Sequence, residues 1–152
     1  MKLTMALVIL ITMGVGLSTV GVASGVGATV GFEPTGLWLI GALTELSVGD
    51  FIDLRAQIGF ATQEIEGLML GTISVLPHWA IPPVDPFLGV GIGVALTPPP
   101  FSTGLLLEGS AGVRLVPHDI VSILLQVRYL LRYTEGVWTT GPVFEGGILI
   151  NF

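Results

Sequence analysis

On three successive segments towards the C-terminus, apolar and polar side chains alternate with a period of two. Leu107, Gly109, Ala111, Val113 and Leu115 alternate with Glu108, Ser110, Gly112 and Arg114. Ile123, Leu125, Val127, Tyr129, Leu131 and Tyr133 alternate with Ser122, Leu124, Gln126, Arg128, Leu130 and Arg132, and Phe144, Gly146, Ile148, Ile150 and Phe152 alternate with Glu145, Gly147, Leu149 and Asn151. Successive side chains of a strand point to opposite faces, so each segment has one apolar face and one that holds nearly every charge. The rhythm alone does not choose a solvent, because a soluble sheet turns its apolar face inward and a membrane sheet turns it out.

Composition makes the choice. The chain is 51% hydrophobic and 11% charged, with a mean hydropathy of +0.89, whereas ordinary soluble domains carry about 25% charged residues. Too few polar side chains are present to cover a globule in water, which points to lipid. The 152 residues suffice for one domain, and 22 glycines argue against a close-packed helical core. With no cysteine, disulfides and thiolate metal sites are excluded. Five basic residues against a formal charge of −6 leave no footprint for nucleic acid.

Met1-Lys2 followed by an uncharged, Leu/Ile/Val/Met-rich run to Ser18 has the layout of a secretory leader, with small residues near Ala23 and Ser24 for cleavage. The expected organisation is a signal peptide over 1–23 and a barrel domain over 24–152. A retained transmembrane helix is the alternative for the leader, and its length permits one.

Eight segments of alternating apolarity run through the rest, at about 24–33, 37–47, 51–62, 65–76, 87–97, 107–115, 122–133 and 144–152. Turn residues separate them: Pro34-Thr35-Gly36, Gly49-Asp50, a proline-rich connector from Pro77 to Pro86, Pro98-Pro99-Pro100, Pro117-His118-Asp119, and a loop from Thr134 to Thr140. The facing of the second segment stays open, since both of its sides are apolar. Short strands without intervening helices are antiparallel neighbours, and in lipid the sheet has to close, because each unpaired backbone group costs several kcal/mol there. The expected fold is all-β: an eight-stranded, antiparallel, up-and-down transmembrane β-barrel, only wide enough for its own side chains. Aromatic girdles are expected at two rims, from Phe51, Trp79, Phe87 and Phe152 at one and Trp38, Tyr133 and Trp138 at the other.

Three stretches resemble the small outer-membrane barrels of the OmpA/OmpX-like family. Pro86-Phe87-Leu88-Gly89-Val90-Gly91-Ile92-Gly93 resembles its Pro-aromatic-x-Gly-x-Gly-x-Gly strand, Glu108 to Tyr133 its next hairpin, and Gly146 to Phe152 its terminal strand. The resemblance implies the outer membrane of a Gram-negative-type bacterium. It also implies the lipid bilayer as surroundings, and the barrel-assembly machinery as a partner that reads Phe152 as its signal. Two features depart from the pattern: hydropathy is high for the class, and short outer loops argue against adhesion.

Candidate chemistry is sparse. Gly89-Val90-Gly91-Ile92-Gly93 lacks the spacing and following helix of a nucleotide loop. His78 and His118 both fall on the rim shared with the termini, away from where an outer-membrane acyl hydrolase meets its lipid, and no paired metal ligands occur at usable spacing. No enzyme, cofactor, metal or small-molecule substrate is therefore expected. The inward charges carry more information, because a charge inside a water-poor lumen has to be paired. Counting from the turns places Glu108 opposite Arg128, Ser110 opposite Gln126, and Glu145 beside Arg128 from the other side. An ionic lumen network of Glu108, Arg128, Glu145, Arg114 and Arg132 follows. Three readings remain open: a structural, envelope-integrity barrel with at most slight permeability; a narrow ion or solute pore gated by Glu108, Arg128 and Glu145; and a small helical membrane protein spanning with segments such as Leu3 to Phe32 and Phe87 to Leu107.

Overall fold

The computed structural model describes residues 24–63, 66–97 and 102–152; the expected leader at 1–23 lies outside them. Eight strands follow in order: β1 (Ser24–Phe32), β2 (Trp38–Ser47), β3 (Ile52–Gln63), β4 (Glu66–Pro77), β5 (Val84–Thr97), β6 (Ser102–His118), β7 (Val121–Thr134) and β8 (Val137–Asn151). Each pairs antiparallel with the next and β8 pairs with β1, closing an up-and-down barrel. Among the described residues no helix is long and apolar enough to cross a membrane. The helical reading fails, because 24–32, 84–97 and 102–107 are strand.

Alternation decides what each face meets. Val30, Ile40, Ile73, Val90, Ile92, Leu125, Ile148 and Ile150 all lie exposed on the outer wall. A soluble monomer does not sustain an apolar surface of that extent, whereas in hydrocarbon it matches the solvent and the closed ladder leaves no unpaired edge. The fold is therefore a transmembrane β-barrel. Strand β2, whose facing was open, turns Leu39, Leu43 and Glu45 inward and Trp38 and Ile40 outward.

Several boundaries and one register differ from the sequence expectation. β5 begins at Val84 and β6 at Ser102, and the loop expected over Thr134 to Thr140 shrinks to the turn Glu135-Gly136. Both turn residues have positive φ, 52° and 85°, the requirement of the type I′ hairpin, and Val137-Trp138-Thr139-Thr140 are strand formers that extend β8 up to it. The shorter turn pairs Arg128 with Val143 and Gln126 with Glu145. At the opposite rim a ladder irregularity between Leu115 and His118 sets Ser110 against Arg128 and Gly112 against Gln126. The expected Glu108–Arg128, Ser110–Gln126 and Arg128–Glu145 pairs are thus each displaced by two residues. A two-residue slip preserves faces, which is why the inward set survives it.

Girdle aromatics gather at both rims. Phe32 contacts Trp38 with centroids 5.5 Å apart, and Tyr133 contacts Trp138 at 4.9 Å, both on the rim opposite the termini. Phe51, Trp79 and Phe152 are exposed on the rim of the termini. Phe87 does not join them: it shares the parity of Gly89 and Gly91 and is buried in the lumen.

The lumen is packed rather than open. Leu37, Leu39, Ala61, Leu70, Ala95, Leu106, Leu130 and Val143 form one apolar layer towards the rim opposite the termini, with seven of the eight strands contributing. Leu43, Leu76, Phe87, Leu124 and Leu149 form a second towards the termini. The inner face of β5 makes room for its neighbours by having no side chains at Gly89, Gly91 and Gly93. A Cβ there would collide with Ser110 Oγ, with Ser74 Oγ and with the Gly71 carbonyl respectively.

Candidate functional site

Four arginines face the lumen, each carried by inward parity on its strand: Arg55 on β3, Arg114 on β6, and Arg128 and Arg132 on β7. Six carboxylates face them, Glu33, Glu45, Asp53, Asp85, Glu108 and Glu145. A guanidinium carries five donors in a planar fork, so one arginine can join carboxylates on several strands.

Arg128 sits at the middle of the barrel. Its Nη2 donates to Glu108 Oε2 at 2.6 Å and its Nη1 to Glu145 Oε2 at 3.3 Å; Thr72 Oγ1 accepts at 3.3 Å. The two acids are held from behind. Gln57 Nε2 and Gln126 Nε2 donate to Glu145 at 2.5 and 2.8 Å, and Ser74 Oγ donates to Glu108 at 3.3 Å. The structure therefore brings Glu108, Arg128 and Glu145 together even though the strand register differs from the one expected, because the long side chains reach diagonally across a ladder.

Arg114 belongs to a different group, at the mouth beside the termini. Its Nη1 donates to Glu45 at 2.7 Å, and its Nη2 lies 2.5 Å from Asp53 and 2.7 Å from Asp85. His78 closes this group, with Nδ1 2.9 Å from Asp85 Oδ1 and Nε2 3.7 Å from Asp53 Oδ1. Two guanidiniums lie over the Phe87 ring, Arg55 at 4.9 Å and Arg114 at 5.9 Å from its centroid, a cation–π arrangement in a desolvated site. Arg132 stands apart at the far rim, 3.5 Å from Glu33. The five residues expected to form one network thus fall into three groups.

What joins the first two groups was missed in the sequence. Arg55 forms a close ion pair with Glu45 and donates through Nη1 to Gln126 Oε1 at 2.5 Å, and Gln126 donates in turn to Glu145. A continuous polar chain runs from the mouth at His78 through Arg114, Glu45, Arg55, Gln126 and Glu145 to Arg128 and Glu108. The ladder pairs Glu45 with Arg55 across a turn that takes in Phe51 as well as Gly49-Asp50, whereas counting across Gly49-Asp50 alone would have set Glu45 opposite Leu54. The open facing of β2 hid the pair as well.

The mouth beside the termini holds a cavity of about 210 Å³ lined by Glu45, Asp53, His78, Asp85, Arg114 and Ser122 among others. Ser122 Oγ accepts from Asn151 Nδ2 at 2.9 Å. Among the described residues no group of three or more His, Asp or Glu side chains is placed to hold a metal ion.

No family model and no curated protein matches the chain. Solved structures do. The chain is similar to Neisserial surface protein A, with a TM-score of 0.68 at 14% identity over 86% of this chain and 96% of that one. It is similar to the N-terminal β-barrel domain of Pseudomonas aeruginosa OprF, with a TM-score of 0.71 at 12% identity over 86% and 97%. The outer-membrane enzyme PagL matches with a TM-score of 0.61 at 12% identity over 83% and 98%. At these identities the likeness establishes the fold, and a fold shared by an enzyme and a surface protein assigns no activity.

Proposed function

We propose that the chain is a structural, envelope-integrity barrel of the outer membrane of a Gram-negative-type bacterium, non-enzymatic and sealed against steady permeation. The apolar layer between Arg128 and the far rim carries this reading. It adds a dry barrier to a lumen whose other half is filled by paired charges. A gate made only of Glu108, Arg128 and Glu145 would leave that layer unexplained. Steady conductance in planar bilayers is expected to be absent for the native chain. It is expected to rise when Leu106 and Leu130 are both replaced by serine, with cations favoured because six lumen carboxylates face four guanidiniums. Arg128→Met opening a channel while the double serine variant stays closed would favour the pore gated by Glu108, Arg128 and Glu145 instead.

The bilayer is the principal partner in this reading, and the barrel-assembly machinery engages the last strand through Phe152. Phe152 is exposed at the rim of the termini, so its deletion removes little packing. Deleting it is expected to impair membrane insertion in cells while leaving urea unfolding of refolded protein nearly unchanged. Normal insertion would remove the assembly role.

A further inference from the structure

The turns at the rim of the termini are unusually apolar. Val48 and Phe51 flank the β2–β3 turn at 51% and 67% exposure, Trp79 and Ile81 occupy the β4–β5 connector at 50% and 67%, and Ile120 lies in the β6–β7 turn at 55%. The two described turns of the opposite rim have Pro34-Thr35-Gly36 and Glu135-Gly136 at their tips, with Val137 exposed at 61% beside the second, whereas Ile81 and Ile120 lie within the turns themselves. An apolar turn tip in water gains nothing, and three at one rim form a ring that calls for a medium.

Depth identifies that medium. The outward side chains of β7 are apolar from Ile123 to Tyr133. Those residues, at about 3.3 Å rise each and a tilt of about 40°, span about 25 Å, which is the height of the apolar band of a transmembrane barrel. Val84 and Ile123 both pair with Leu115, so Ile81 and Ile120 lie past the last rows of that ladder and past the band. The ring is also continuous with the lipid-facing wall, since Phe51 adjoins exposed Ile52 and His78, next to Trp79, is bonded through its backbone to Phe51. Charge narrows the choice of lipid. The exposed charges of these turns are Asp50 and Asp119, and all four arginines of the described residues face the lumen.

We infer that the turns on the rim of the termini are inserted in a layer of zwitterionic phospholipid headgroups, with Val48, Phe51, Ile81 and Ile120 at the level of the glycerol backbones and Asp50 and Asp119 meeting headgroup ammonium. The barrel is then seated asymmetrically, one rim submerged and the other emergent. Headgroup-level seating of aromatic and aliphatic tips follows the preference of amphipathic and apolar groups for the membrane interface. The inference rests on the membrane-barrel reading, whose own failure would show independently as loss of β circular dichroism and of the heat-dependent gel shift.

The native chain lacks cysteine, so single nitroxide labels can be placed on Phe51→Cys, Ile81→Cys and Thr35→Cys variants refolded into phosphatidylcholine vesicles. Variants are used only where the heat-dependent gel shift shows a folded barrel. With a nickel chelate present on both sides, labels at 51 and 81 are expected to collide more with dissolved oxygen than with nickel, and the label at 35 the reverse. Replacing part of the lipid by an anionic phospholipid should shift labels 51 and 81 towards the nickel-accessible side. Nickel-dominated collision at 51 and 81 in phosphatidylcholine would overturn the inference. So would spin–spin broadening at 81 that disappears on dilution with unlabelled protein, which would assign the ring to a second copy of the chain.

Discussion

Replacing Arg128 by methionine is expected to destabilise the folded barrel by about 3 to 5 kcal/mol, the usual cost of removing one partner from a buried ionic pair. The arginine is the common cation of Glu108 and Glu145, and both acids are buried. Without it, two carboxylates share a confined lumen with no cation to compensate them. The donors that remain, Ser74 on one acid and Gln57 and Gln126 on the other, are neutral and cannot replace the charge. Urea titration of the refolded protein in lipid measures the loss. Combining Arg128→Met with Glu108→Gln and Glu145→Gln should recover most of it, because that cluster is then uncharged and each glutamine still offers a carbonyl to those same donors. A triple variant as unstable as Arg128→Met would show that the arginine acts through packing rather than charge.

An arginine placed at Val127 is expected to cost about 2 to 4 kcal/mol, and one at Ile52 about 0 to 1 kcal/mol, by the depth dependence of charges on the lipid face of barrels. Val127 is the third of the six outward positions from Ile123 to Tyr133 and is exposed on the outer wall, while Ile52 is exposed on the same wall in the first row of β3, beside the β2–β3 turn. The same titration compares the two. Equal costs would mean that the outer wall does not see a gradient of polarity, and the facing of β7 would have to be reconsidered.

The parts of this molecule that follow from parity were legible in the sequence, and the parts that follow from turn geometry were not. Side-chain alternation places Leu124, Gln126 and Arg128 on one face regardless of how strands are aligned, so the membrane face, the number of strands and the inward charges of the last three strands could be read. Register depends on where a turn is centred. Glu135 adopting positive φ and the irregularity between Leu115 and His118 each move a ladder by an amount that no apolar pattern reveals. Phe87 shows a different limit. Its inward parity was visible, but an aromatic beside a predicted strand end invited a rim assignment, and the two guanidiniums over its ring account for its burial. The link from Arg114 to Arg128 through Glu45 and Arg55 was hidden because β2 is apolar on both faces, which removes the contrast that parity needs.

The bare inner face of β5 bears on how such a chain can vary over generations. A side chain at Gly93 meets the Gly71 carbonyl and one at Gly91 the Ile73 carbonyl, whereas one at Gly89 meets the side chains of Ser110 and Leu76, so drift is most restricted at Gly93 and Gly91, while Leu88, Val90 and Ile92, exposed on the outer wall, can exchange among apolar types with little effect on fold. Lineages built on this plan would diverge mainly on the outer wall and keep a small, sterically dictated set inside.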